Sequence, residues 1–260
     1  MKKILVSISV FAVFYANAQV KEGKVVFERI MQLNINANSE MAHLMPKNRT
    51  DNFELIFGNN QSLWQVIPNA EGDNSTITGP GFVMRMAGNN DVTYFNFETS
   101  KRVDQRELLE REFLVEDSIS KLKWKLTDET KNILNYTATK AVAERIGSRN
   151  VMTMENGEMK RQQVADTSYI TAWFTSQIPV PAGPSEFQGQ LPGLILELNI
   201  NNGRTIYKAI EISPKVNVAS IKEPKGGKKL TAAEFTKERD TLMEEMRRNN
   251  PGGNRTIRIN

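Results

Sequence analysis

The 260-residue sequence has no cysteine and one histidine, His43. Without a thiol there is no disulfide, no cysteine nucleophile and no thiolate metal site. With one imidazole, a serine-type triad has a single candidate base. The G-x-S-x-G, H-E-x-x-H and P-loop patterns are absent. Gly226-Gly227-Lys228 lacks the first half of a P-loop and reads as linker. After Tyr15 no apolar run is long enough to span a bilayer. Neither sign of charge dominates: 34 Lys and Arg stand against 30 Asp and Glu, interspersed through the chain, for a formal net charge of +4. That distribution gives no case for a nucleic-acid partner.

What is present begins with an address. Lys2 and Lys3 precede an apolar run over residues 4–15, and Ala16-Asn17-Ala18 supplies a small-x-small cleavage site. This reads as a secretory signal peptide over residues 1–18. The expected mature chain starts at Gln19, has no transmembrane segment, and lies in the periplasm or outside the cell. No cysteine follows the run, so no lipid anchor is expected.

The most informative stretch covers residues 169–212. LILELNI alternates, placing Leu194, Leu196, Leu198 and Ile200 on one face, as in a half-buried strand. Asn202-Gly203 is the residue pair that a type I′ hairpin turn demands, and TIYKAIEI returns. A two-residue loop sets Glu197 opposite Lys208 and Leu198 opposite Tyr207. The charge pair is expected to contribute about 0.2–1 kcal/mol. Upstream, YITAWFT is strand-like in composition. Between the two lies IPVPAGPSEFQGQLPG, whose four prolines cannot donate to a ladder. Two readings of this loop are open: a connection that aims the next strand, or the rim of a binding surface.

Leu191-Pro192-Gly193-Leu194-Ile195 matches the last five residues of the motif that names the GLPGLI family, secreted proteins of Bacteroidetes-type bacteria. The chain resembles that family. Gln190 stands where the family has its leading glycine. Ala172–Thr175, Ile178-Pro179, Gly183-Pro184 and Phe187 are similar to the segment before the motif. REFLVEDSISKLKWKLTDETKNILNYTATKA is similar to the family's middle segment, with Ala138 where a cysteine is frequent. The resemblance covers roughly residues 20–212. It implies an envelope protein rich in antiparallel sheet, and brings no activity with it.

Elsewhere, GKVVFERIMQLNIN reads as a first strand, and residues 37–52 as irregular. FELIFGNNQSLWQVIP reads as a hairpin turning at Gly58-Asn59-Asn60, and FVMRMAGNNDVTYFNF as another around residues 88–91. Residues 101–107 read as an edge strand or a bend. LLEREFLVED is a strand. LKWKL places Leu122, Trp124 and Leu126 inward. Residues 132–143 read as one strand, and residues 148–169 as a long hairpin turning at Asn156-Gly157. After Pro214, SIKEPKGGKKL reads as a basic linker. TAAEFTKERDTLMEEMRR then reads as a helix with a Thr231/Glu234 capping box, a Leu230/Phe235 staple and a stripe of Phe235, Leu242 and Met246. NRTIRIN is a last strand or a tail.

These pieces give an all-β body, mainly antiparallel, as a curved sheet or half-barrel, with an appended C-terminal α-helix. The body covers residues 19–222. The basic linker, amphipathic helix and tail cover residues 223–260.

Candidate chemistry is sparse. Met41-Ala42-His43-Leu44-Met45 sets two thioethers and an imidazole on one face of an extended chain, a soft donor set suited to copper. The plain alternative is two packing methionines and a surface histidine. Met84/Met86 and Met152/Met154 share that spacing without a histidine. Asp117, Asp128, Glu129 and Asp166 are candidate acid/base carboxylates, or solvated strand ends. Trp64, Trp124 and Trp173 pack in a core or line an apolar ligand cavity. The expected function is a non-enzymatic binding, carrier or scaffold module. Its curved sheet would hold an apolar, lipid-like ligand or a segment of an envelope protein. The alternative is a copper-handling protein using Met41, His43 and Met45, and an enzyme of unrecognised type is the third reading. No other cofactor is expected.

Overall fold

The structure, a computed structural model, describes residues 20–33, 47–68, 76–79, 82–85, 91–108, 111–155 and 158–249. Its strands are β1 (Gly23–Gln32), β2 (Asn48–Gly58), β3 (Gln61–Val66), β4 (Thr76–Gly79), β5 (Phe82–Arg85), β6 (Val92–Asn96) and β7 (Lys101–Leu108). There follow β8 (Arg111–Ser118), β9 (Lys125–Ile133), β10 (Tyr136–Glu155), β11 (Glu158–Thr175), β12 (Leu194–Ile200), β13 (Thr205–Ser213) and β14 (Lys228–Thr231). The helix α1 spans Ala232–Asn249. Twelve strands join one open, curved sheet in the order β14-β8-β7-β6-β3-β2-β1-β13-β12-β11-β10-β9. Every ladder in it is antiparallel except β14 with β8, which is parallel. No helix among the described residues is long and apolar enough to cross a membrane.

The β12–β13 hairpin has the register its turn chemistry demands. Glu197 faces Lys208, Leu198 faces Tyr207 and Ile200 faces Thr205. Asn202 and Gly203 take φ of 52° and 95°, and the Arg204 amide donates to the Asn201 carbonyl at 3.3 Å. Leu194, Leu196 and Leu198 are fully buried, and Ile200 is half-buried against the same cluster. On the other face the Glu197 carboxylate takes Lys131 Nζ at 2.7 Å. That ammonium also sits 4.4 Å from the centre of the Trp173 ring. The flexible lysine of edge strand β9 thus reaches across β10 and β11 to the carboxylate.

The loop over residues 176–193 is a second layer on the sheet. Ile178, Val180, Ala182, Phe187 and Leu191 are buried in one cluster with Phe27, Leu55, Phe57, Trp64, Leu196 and Leu198. Its backbone is fixed where the Leu194 amide donates to the Ile178 carbonyl and the Ile195 amide to the Ala182 carbonyl, both at 3.0 Å. Gly193 is required by contact: a Cβ there would lie 2.2 Å from the Thr175 carbonyl oxygen. Gln190 ties down the approach to β9. Its Oε1 accepts from the Leu122 amide and from Trp124 Nε1, at 3.0 and 3.2 Å, and its Nε2 donates to the Ser120 carbonyl at 2.6 Å.

Several local expectations are corrected by tertiary context. In LKWKL, Leu122 and Trp124 do pack against the core, but from residues 119–124 that lie before β9, and Leu126 is 55 % exposed on the edge strand. Residues 132–143 are split by a turn at Leu134-Asn135, with φ of 48° and 68°. A leucine in that conformation carries no sequence signal. β5 and β6 do not pair with each other. β5 pairs with β4, and β6, with Thr93, Tyr94 and Phe95 all buried, takes an interior place between β3 and β7. A strand buried on both faces belongs inside a sheet. β7 is likewise interior and neither edge nor bend. At the β2–β3 turn, Asn59 and Asn60 take the positive φ, while Gly58 stays in the strand, where a Cβ would meet Val218 at 2.9 Å. β2 begins at Asn48, inside the stretch read as irregular.

The C-terminal region is docked on the sheet. Residues 228–231, the end of the stretch read as linker together with the helix cap Thr231, add β14 to the edge of β8. The capping box forms: the Thr231 amide donates to Glu234 Oε2 at 2.8 Å, and the Glu234 amide to Thr231 Oγ1 at 3.3 Å. Leu242, Leu230 and Phe235 pack on Leu108 and Phe113. The β10–β11 ladder runs out to Glu155 opposite Glu158. Residues 156 and 157 lie outside the described residues, as do residues 86–90, residues 250–260 and the Met246 side chain.

Candidate functional site

The residue types singled out in the sequence do not converge. Met41, His43 and Met45 lie outside the described residues, as does the proposed signal peptide. Trp64 is buried and stacks on Phe53 with centroids 4.9 Å apart. Trp124 is half-buried and donates to Gln190. Trp173 is half-buried against the same cluster as Trp64, with the Lys131 ammonium over its ring. Asp128 and Glu129 sit on edge strand β9, with Glu129 paired to Lys140 at 2.6 Å. Asp166 faces Gly147 along the β10–β11 ladder. Of the four candidate carboxylates only Asp117 reaches the cleft described next.

That cleft, about 630 Å³, opens on the inner face of the sheet. Inner-face residues of β1, β2, β3, β6, β7 and β8 form its floor. Ser185 and Glu186 of the loop and Phe235, Thr236 and Arg239 of α1 form its sides. The apolar part of the inner face is already covered by residues 178–191, so the open part is the charged part. Among the described lining residues the cations are all arginines.

Alternation along the strands puts these charges there. In β2, Arg49 and Asp51 precede Phe53 at period two, and Asp51 stands directly across from Arg29 of β1. Asp51 is 4 % exposed; it accepts Arg29 Nη2 and Nε at 2.6 and 3.2 Å and Arg49 Nε at 2.8 Å. The Arg29 guanidinium lies 4.7 Å from the centre of the Phe53 ring, which rests on Trp64. Burial opposes the charge on Arg29, but Tyr207 and Asp51 outweigh it and hold its pKa above the ordinary value. Burial pushes the Tyr207 phenol up, against the pull of Arg29.

The second wall comes from β7, where Arg102, Asp104 and Arg106 alternate inward while Val103 is buried on the other face. Arg102 grips Asp104 with two bonds, Nε at 3.0 Å and Nη2 at 2.7 Å. Arg106 bridges Asp104 at 3.3 Å and Asp91 at 3.1 Å. Burial raises the Asp91 carboxyl above the usual carboxylate range, only partly offset by Arg106 and the Glu107 amide.

Arg145 of β10 closes a third side, bonding Glu186 at 3.0 Å. Burial would raise the Glu186 carboxyl, but bonds from Ser185, its own amide and Arg145 hold it below the usual range. Arg102, Asp117, Arg145 and Glu186 also line a side pocket of about 170 Å³, behind which stand Phe95, Ile119, Leu122 and Phe187.

The arrangement offers oriented guanidinium donors and carboxylate acceptors beside aromatic surface. Among the described residues no cluster of His, Cys, Asp and Glu could hold a metal ion. The period-two charges R-x-D in β2 and R-x-D-x-R in β7 were the available sequence signal for the cleft. They were illegible as a site because the inward face of each strand depends on which strands flank it.

A family model described as a protein of unknown function, Porph_ging, matches residues 124–197, from β9 through the loop into β12. Among solved structures, two crystal forms of PNGF-II are similar. The P21 form has TM-score 0.51 and 18% identity over 84% of this chain and 33% of that one. The C2 form has TM-score 0.51 and 17% identity over 83% and 32%. The chain thus spans about a third of the length of PNGF-II, and at this identity the likeness is one of fold. No curated protein matches the sequence.

Proposed function

We propose that the protein is an exported, non-enzymatic binding module of GLPGLI type that holds a polar protein segment in the charged cleft. One observation carries this reading. The chain's own residues 178–191 occupy the apolar part of the inner face, and what stays open is lined by ion-paired arginines and carboxylates. An apolar ligand finds little to bury against there. A polypeptide brings backbone donors and acceptors that such groups can satisfy. The arginines are held in place by their carboxylates before any ligand arrives, which lowers the ordering cost of binding. Export would give the site access to segments of other envelope proteins.

The test is an NMR titration of the ¹⁵N-labelled protein with a mixture of short peptides of varied sequence. Amide shifts at Thr93, Asp104 and Glu186, with the peptides recovered intact by mass spectrometry, are the expected result. Shifts produced only by a long-chain alkyl probe, or cleavage of the peptides, would overturn the reading.

A further inference from the structure

The passage between the cleft and its side pocket is built from two matched halves. Arg102 of β7 lies with its guanidinium 5.8 Å from the centre of Phe95, and Arg145 of β10 lies 5.7 Å from the centre of Phe187. Each is braced by a carboxylate, Asp104 and Glu186 respectively. Arg102 has two N–H groups committed to Asp104. Arg145 commits one of its five N–H groups to Glu186 and is the more exposed, 42 % against 22 % for Arg102. Asp117, at the end of β8, lines both chambers and accepts from the Ser118 amide at 2.7 Å. Behind the passage, Phe95, Ile119, Leu122 and Phe187, with Ser118, Ser120 and Gln190 at its rim, wall a space of about 170 Å³.

Resting on the cleft reading above, we infer that this passage captures the C-terminal residue of a polypeptide. The three groups match the three parts of such a residue. Its α-carboxylate meets the spare guanidinium donors of Arg145, with Arg102 alongside, in the charge-assisted geometry at which arginine excels. Its backbone N–H donates to the Asp117 carboxylate. Its side chain enters the pocket, which has room for one apolar group between two aromatic walls. Asp117 and Glu186 face the same passage and disfavour a second negative charge, so the last side chain is neutral. An internal Asp or Glu would bring the carboxylate without an apolar group to fill the space beyond it. The remainder of the segment runs back into the larger cleft.

The experiment compares acetylated peptides of one sequence ending in leucine, one with a free carboxylate and one amidated, plus a third ending in aspartate. Binding to the ¹⁵N-labelled protein is followed by NMR. The free acid ending in leucine should bind about tenfold or more tightly than its amide, with shifts at Arg102, Asp117 and Phe187. The aspartate-ended peptide should be weaker. Arg145→Gln should reduce the acid to the level of the amide, and Arg145→Lys should restore part of the difference. Arg145 is half-buried and pairs with Glu186, so thermal melts of both variants accompany the titrations and binding is compared where each variant is fully folded. Equal binding of acid and amide would overturn the inference while leaving the cleft reading in place. Discrimination that survives Arg145→Gln would also overturn it. If no peptide perturbs any cleft residue, both readings fall.

Discussion

Ser62 Oγ donates to Gln188 Oε1 at 2.5 Å, and both residues are fully buried. This bond joins β3 to the covering loop across 126 positions of sequence. Gln188 Nε2 in turn donates to the Ser185 carbonyl at 3.3 Å, so the pair also fixes the rim of the cleft. Ser62→Ala leaves the buried amide oxygen without its donor and should cost about 1–3 kcal/mol. Urea denaturation measures it. A cost near zero would show that the loop is not held by this bond.

The two faces of β12 should respond in opposite ways. Leu196 is fully buried, and its truncation to alanine should cost about 2–5 kcal/mol. Glu197→Ala removes a partly exposed pair with Lys131 and should cost under about 1 kcal/mol. Chemical denaturation of the two variants gives the contrast. If Glu197→Ala were the more damaging, the pairing over Trp173 would outweigh the core.

Gly193→Ala tests why the motif carries glycine. The added Cβ would overlap the Thr175 carbonyl oxygen at 2.2 Å, and backbone rather than a mobile side chain must yield. The expected cost is about 1–3 kcal/mol or more. Peptide-induced shifts at Glu186, on the same loop, should also weaken. A variant as stable as wild type would mean that β11 and the motif separate freely.

Alkaline stability should depend on Tyr207. Its folded pKa lies above the unfolded value of about 10 because burial disfavours the phenolate. Between the unfolded and folded values the native state therefore binds more protons than the unfolded chain, and stability falls as pH rises through that window. Below about pH 10 the contribution is fully present. Tyr207→Phe should flatten this loss in denaturation curves above about pH 10. An unchanged slope would place the alkaline sensitivity elsewhere.

Local rules carried far along this chain. The type I′ turn at Asn202-Gly203 and its register followed from two residues that accept positive φ, because a turn of that kind is decided within four residues. The Thr231/Glu234 box followed likewise, since both partners lie within one helical turn. All-β character followed from alternation and turn spacing. What the sequence could not decide was the environment of each face. Arg29, Arg49, Arg102, Arg106 and Arg145 come together from four strands, and only the strand order and the curvature of the sheet aim them at one cleft. The proline-rich loop reads as a connection or as the rim of a binding surface until the sheet beneath it exists. Its Ile178, Phe187 and Leu191 then have an apolar surface to cover, and the charged remainder of that surface is left as the site.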